Sequence, residues 1–121
     1  MGEHDTCWAV ETSKDGDRWR FYGKAWARDG EPILLHAAPA YLRFKLADGG
    51  DWSEPLKSTS ESPMALVRLD EGVREDVWPS RRHLGLPVVL PGGEAGRLVS
   101  FWRSPDGERW TYTLEFRGER P

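Results

Sequence analysis

Two segments of this chain, one near each end, carry the same turn. Ser13-Lys14-Asp15-Gly16-Asp17-Arg18-Trp19 and Ser104-Pro105-Asp106-Gly107-Glu108-Arg109-Trp110 agree at Ser, Asp, Gly, Arg and Trp. Asp tolerates the left-handed region and Gly enters it freely, so Asp-Gly between alternating runs marks a tight hairpin. The Ser and Asp side chains can bond amides within the turn, and Trp opens the returning strand. A chain bounded by such turns is committed to antiparallel sheet at both ends.

The flanking runs alternate with period two. Trp110, Tyr112, Leu114 and Phe116 interleave with Thr111, Thr113, Glu115 and Arg117, which gives one apolar and one polar face. Leu42, Phe44 and Leu46 oppose Tyr41, Arg43 and Lys45, and Trp8 and Val10 oppose Ala9 and Glu11. Strict alternation from Arg18 to Ala27 puts Trp19, Phe21, Gly23 and Ala25 on one face. Arg18, Arg20, Tyr22, Lys24 and Trp26 then lie on the other. Further strands are expected over Met64–Leu69, Leu86–Leu90 and Arg97–Arg103.

Asp-Gly also occurs at Asp29-Gly30 and Asp48-Gly49, and Gly (13) and Pro (9) interrupt most helical patterns. The charge-dense stretch Asp70–His83 is the exception: Val73–Trp78 can form a short helix that Pro79 stops. Asp51–Pro63 is polar and reads as a loop. The expected fold is all-β, or mostly β with one short helix in 70–80. It is an antiparallel β-sandwich or small barrel of about 7–8 strands joined by Asp-Gly hairpins. Residues 7–117 are expected to form one domain, with 1–6 and 118–121 as flexible ends.

Two resemblances bear on this fold. The repeated turn resembles the Asp-box hairpin of sialidases and propellers, Ser-x-Asp-x-Gly-x-x-Trp, although Asp and Gly are adjacent here. It implies a structural turn and no site residue. Tyr41–Leu56 resembles the late strands of fibronectin type III domains, which implies a sandwich.

Charge and motifs exclude several functions. A net charge of −3 argues against a general nucleic-acid binder. The single cysteine, Cys7, cannot form an intrachain disulfide. Together with the lack of a long apolar run or apolar leader, this leads us to expect a cytoplasmic protein with no membrane contact. No zinc, calcium, P-loop or nucleophile-elbow motif occurs, and Gly92-Gly93-Glu94 reads as a turn. No cofactor, metal site or catalytic residue is expected. Gly2-Glu3-His4 would suit Cu(II) only at a processed terminus, and it reads as accident. Cys7 reads as an inert thiol, and His36 as a buried, hydrogen-bonded side chain.

What remains points to binding. Seven tryptophans are many for 121 residues, and Trp is favoured at interaction hot spots. The candidate surface is Arg18, Arg20, Tyr22, Lys24 and Trp26, joined by Tyr41, Arg43 and Lys45 if their strand lies nearby. Trp52, Trp78, Arg81, Arg82 and His83 in the long connections complete the candidates. The expected function is a non-catalytic module for protein–protein interaction, of the regulator, inhibitor or immunity and phage-host type, in a bacterial or phage-like setting. Carbohydrate or small-ligand binding through Trp and Tyr, with Trp19, Trp102 and Trp110 as lining, is the alternative. Nucleic-acid contact through the basic-aromatic face comes after it.

Overall fold

The computed structural model describes residues 5–28, 30–36, 38–58, 61–91 and 95–116. The strands are β1 (Asp5–Ser13), β2 (Arg20–Arg28), β3 (Ile33–His36), β4 (Tyr41–Leu46) and β5 (Leu56–Lys57). They continue with β6 (Met64–Arg68), β7 (Val73–Val77), β8 (Pro87–Val89), β9 (Ala95–Arg103) and β10 (Trp110–Glu115). They form a small sheet ordered β2-β1-β4-β5 and a large one ordered β10-β9-β8-β3-β6-β7. The protein is an all-β sandwich of two sheets and not a closed barrel.

Both outer turns are hairpins, between β1 and β2 and between β9 and β10. Their hydrogen bonds follow one scheme. Ser13 Oγ donates to Asp15 Oδ1 at 3.0 Å, and that oxygen accepts the amides of Asp17 at 2.9 Å and Arg18 at 3.0 Å. In the second copy Ser104 Oγ donates to Asp106 Oδ1, which accepts the Glu108 amide at 3.0 Å. Gly16 and Gly107 supply φ of 86° and 76°. The other two Asp-Gly pairs do different work. Gly30 lies where the chain leaves the small sheet for the large one, and Asp48-Gly49 opens the longer connection from β4 to β5.

Three strands went unread in sequence, which is why ten stand among the described residues where about 7–8 were expected. β3 contains Ile33-Leu34-Leu35, all fully buried, because the large sheet is covered on both faces. Ile33 and Leu35 join Val10, Leu42, Phe44 and Val67 between the sheets. Leu34 faces the opposite way, with Met64, Leu66, Val88 and Leu98. Each such side chain contributes about 1.5–3 kcal/mol on burial. The cover for this second face is the large sheet itself, which rolls so that Phe101, Tyr112 and Leu114 pack onto it. β5 has only two residues.

The third, β7, replaces the helix expected in 70–80. Gly72, at φ 66°, turns the chain so that Val73–Val77 pairs with β6. The turn of 3₁₀ helix lies later, at Arg81–His83. Pairing wins because the amides and carbonyls of Val73–Val77 join the β6 ladder, and it brings Arg74 and Asp76 together as a buried ion pair, 2.8 Å apart, with side chains 3% and 2% exposed. A lone helical turn would leave both in water.

The register of β2 also departs from strict alternation. Val10 pairs with Gly23 but Glu11 pairs with Phe21, so Tyr22 is an extra, bulged residue. Before the bulge, Phe21 shares the outer side with Glu11; after it, Lys24 and Trp26 share that side with Ala9 and Cys7. Tyr22 is therefore in the core and donates its hydroxyl to the His36 carbonyl. Burial pushes the Tyr22 phenol well above its usual value.

Candidate functional site

The outer face of the small sheet gathers most of the sequence candidates. β1 lies between β2 and β4, so the rows read Lys24–Ala9–Lys45 and Phe21–Glu11–Arg43. Arg43 is the centre. Its Nη2 and Nε bond Glu11 Oε1 at 2.6 Å and 2.9 Å. Its guanidinium also lies 4.4 Å from the Trp19 ring centroid and 4.8 Å from that of Trp52. Lys45 Nζ sits 4.9 Å from the same Trp52 ring. Tyr41 takes Lys57 at 5.8 Å on one side.

This arrangement corrects the predicted face in three places. Tyr22 leaves it for the core, and Phe21, assigned to the core by alternation, replaces it at 53% exposure. Arg20 pairs with Thr12 on the core side and emerges at the rim, at the free edge of β2. Trp19, also read as inward, covers Arg43 from outside. The missed signal was Gly23: a glycine inside a strand marks a bulge, and a bulge reverses the phase of everything before it. Lys24 and Trp26 stand as expected, with Trp26 49% exposed. Arg18 is exposed in the first turn.

The remaining candidates lie on the large sheet. Trp78, Arg82 and His83 line one cavity of about 510 Å³ together with Arg68 and Glu75. Arg81 and Arg82 are exposed, whereas His83 is only 4% exposed and accepts the Ser80 amide on Nδ1 at 3.0 Å. Burial, aided by Arg82, holds its imidazole below the usual range. The ring is a structural cap, not a free basic contact.

A further cavity, about 520 Å³, was not singled out by sequence, although two of its tryptophans were. It is lined by His36, Trp102, Arg109, Trp110, Thr111 and Tyr112 among others. The His36 and Tyr112 rings meet edge to face at 5.0 Å. His36 Nδ1 and Tyr112 Oη are both buried with no hydrogen-bond partner, against the expectation that His36 is hydrogen-bonded. Burial lifts the Tyr112 phenol to about 12 and lowers the His36 imidazole.

Cys7 is half-buried, and burial raises its thiol, as expected for an unreactive side chain. Among the described residues no cluster of His, Cys, Asp or Glu is placed to hold a metal ion. Among them, too, no helix is long and apolar enough to cross a membrane. Gly2-Glu3-His4, Gly92-Gly93-Glu94 and residues 118–121 lie outside the described residues.

The chain is similar to a tetraacyldisaccharide 4'-kinase of Chlorobium limicola, 29% identical over 85 residues. That match covers 69% of this chain but only 24% of the kinase. No solved structure matches the chain significantly. A family profile matches residues 6–120, nearly the whole length, and the chain therefore belongs to the family of unknown function DUF7712.

Proposed function

We propose that this protein is a non-catalytic binding module whose outer small-sheet face docks an acidic protein partner. The observation that carries this reading is the Arg43 stack. A guanidinium held against Trp19 and Trp52 and fixed by Glu11, with Lys45 on the same Trp52 ring and Lys24 across the sheet, makes a rigid aromatic surface with two lysines on its face, on a chain of net charge −3. Exposed Trp26 and Phe21 supply apolar anchors beside it. Preordered aromatic and Arg side chains are what interface hot spots are made of, and rim lysines steer acidic partners. A regulator, inhibitor or immunity-type protein of the cytoplasm fits this surface, with the single cysteine as support for a reducing compartment.

The test is affinity capture with wild type, Trp26→Ala/Lys24→Glu and a Trp102→Ala control. The expected result is an acidic protein retained by wild type and control, released by salt and lost with the double variant. Equal retention by all three, or tight salt-dependent binding of single-stranded DNA instead, would overturn the reading.

One observation favours a second reading, a saccharide site at the His36–Tyr112 cavity. Two unpaired buried polar atoms beside Trp102 and Trp110 suit hydroxyls stacked on an indole. The kinase relative is itself named for an acylated disaccharide. Quenching of tryptophan fluorescence by oligosaccharides, abolished by Trp102→Ala, is the expected result; no response across a panel would dismiss it.

A further inference from the structure

The bulge in β2 does more than exchange Phe21 for Tyr22. It sets Phe21, Tyr22 and Arg20 among the residues that line a cavity of about 600 Å³ at the free edge of the small sheet. Lys14, Pro39 and Pro91 share its lining. That volume lies within the range of small-ligand sites, about 300–1,000 Å³.

Four independent features meet here. First, the bulge removes a phenyl ring from the core, and bulges commonly re-aim a side chain for use. Second, the walls are mostly apolar. Third, the charge is of one sign: Lys14 and Arg20 line the cavity and no carboxylate does. Neither cation has an ion-pair or hydrogen-bond partner among the described residues. The nearest turn acid, Asp15, is already engaged by Ser13 and by the Asp17 and Arg18 amides. Fourth, Ala38 in the wall holds φ 32°, a conformation that L side chains rarely adopt. Strain of this kind collects at ligand sites.

We infer that this cleft binds a small amphipathic anion. Its apolar body lies against Phe21, Pro39 and Pro91, and its carboxylate or phosphate head sits between Lys14 and Arg20. The docking face proposed above shares only Phe21 with this site, and Trp26→Ala, which lies outside the cleft, is expected to leave ligand binding there intact.

The test is an amide-shift titration of the ¹⁵N-labelled chain with decanoate, decyl phosphate and 1-decanol, each below its micelle threshold. Saturable shifts are expected around residues 12–14, 20–22 and 38–40. Decanol should bind more weakly than decanoate by about tenfold or more, the weight of a charge-assisted contact. Lys14→Gln/Arg20→Gln should remove that difference, and Phe21→Ser should weaken all three ligands. These positions are exposed, so thermal melts should stay close to wild type. The preferred head group is read from decanoate against decyl phosphate. Absent or non-saturating shifts, shifts centred on Trp102 and Trp110, or equal affinity for decanol would overturn the inference. So would tighter binding of a short peptide with a free C-terminal leucine, which would make the cleft a chain-end receptor.

Discussion

The Trp78 and Trp110 rings lie 5.9 Å apart, at a tilt of 47°, and they belong to opposite edges of the same sheet. Trp78 follows β7 and Trp110 begins β10. Arg103 lies over both, at 5.5 Å and 5.3 Å. The contact shows how far the large sheet rolls. It brings the sheet edges together at one point while the ladder between them stays open.

That contact should be measurable as coupling. A double-mutant cycle on Trp78→Ala and Trp110→Ala, followed by urea unfolding, should give about 0.5–1.5 kcal/mol of interaction energy. Additive losses would mean that the edges do not hold one another.

The buried pair on β7 should be asymmetric in its response. Arg74 Nε meets Asp76 Oδ1, and Ser58 Oγ donates to Asp76 Oδ2 at 2.8 Å. Asp76→Leu alone strands a buried guanidinium that already has one unpaired nitrogen, Nη2. The expected loss is about 3–5 kcal/mol, whereas Arg74→Met/Asp76→Leu together should cost far less. Thermal and urea melts of the three proteins decide this.

The two matching turns should differ in tolerance. Gly16→Ala and Gly107→Ala each place an L residue at positive φ, worth about 1–2 kcal/mol. At Gly107 the new methyl would also lie 2.9 Å from Arg103 Nη2, whereas at Gly16 it meets only the Tyr41 ring at 3.6 Å. Arg103 is exposed and its flexible side chain can swing aside, so Gly107→Ala should be only slightly the more destabilising in urea, but it alone should alter tryptophan emission by displacing Arg103 from its rings.

Stability should fall as the pH drops through the histidine range. His83 has its imidazole pKa lowered from 6.5 in the fold, mainly by burial. The unfolded chain therefore takes up the proton first. The stabilising contribution is complete above 6.5 and is lost progressively as pH falls below it, until the folded ring protonates too. Protonation also forfeits the Nδ1 acceptor that holds the Ser80 amide. Urea melts from neutral to mildly acidic pH should show this slope, and His83→Gln should reduce it.

Local chemistry was legible wherever neighbours in sequence are neighbours in space. Ser13, Asp15 and Gly16 fix the first turn among themselves, and Ser104, Asp106 and Gly107 repeat it. Alternation gave β4 and β10 their correct faces, because each has one side packed and one side open. Asp-Gly alone carried less: Asp48-Gly49 looks like a hairpin turn yet leads into a broad loop.

What the sequence determined, then, is a hairpin-bounded antiparallel β fold, sandwich or barrel, with aromatic and basic residues to spare. Tertiary structure decided which of them meet. Strand order puts Ala9 and Glu11 between Lys24 and Arg43, and one bulged residue exchanges Tyr22 for Phe21 at the surface. Two-sided burial makes a strand of Ile33–His36, where no alternation exists to be read. Pairing with β6 turns a stretch with helical character into β7. The reason is the same in each case. Period and turn residues are set by bonds along the chain, whereas register, phase and the covering of a second face are set by contacts across it.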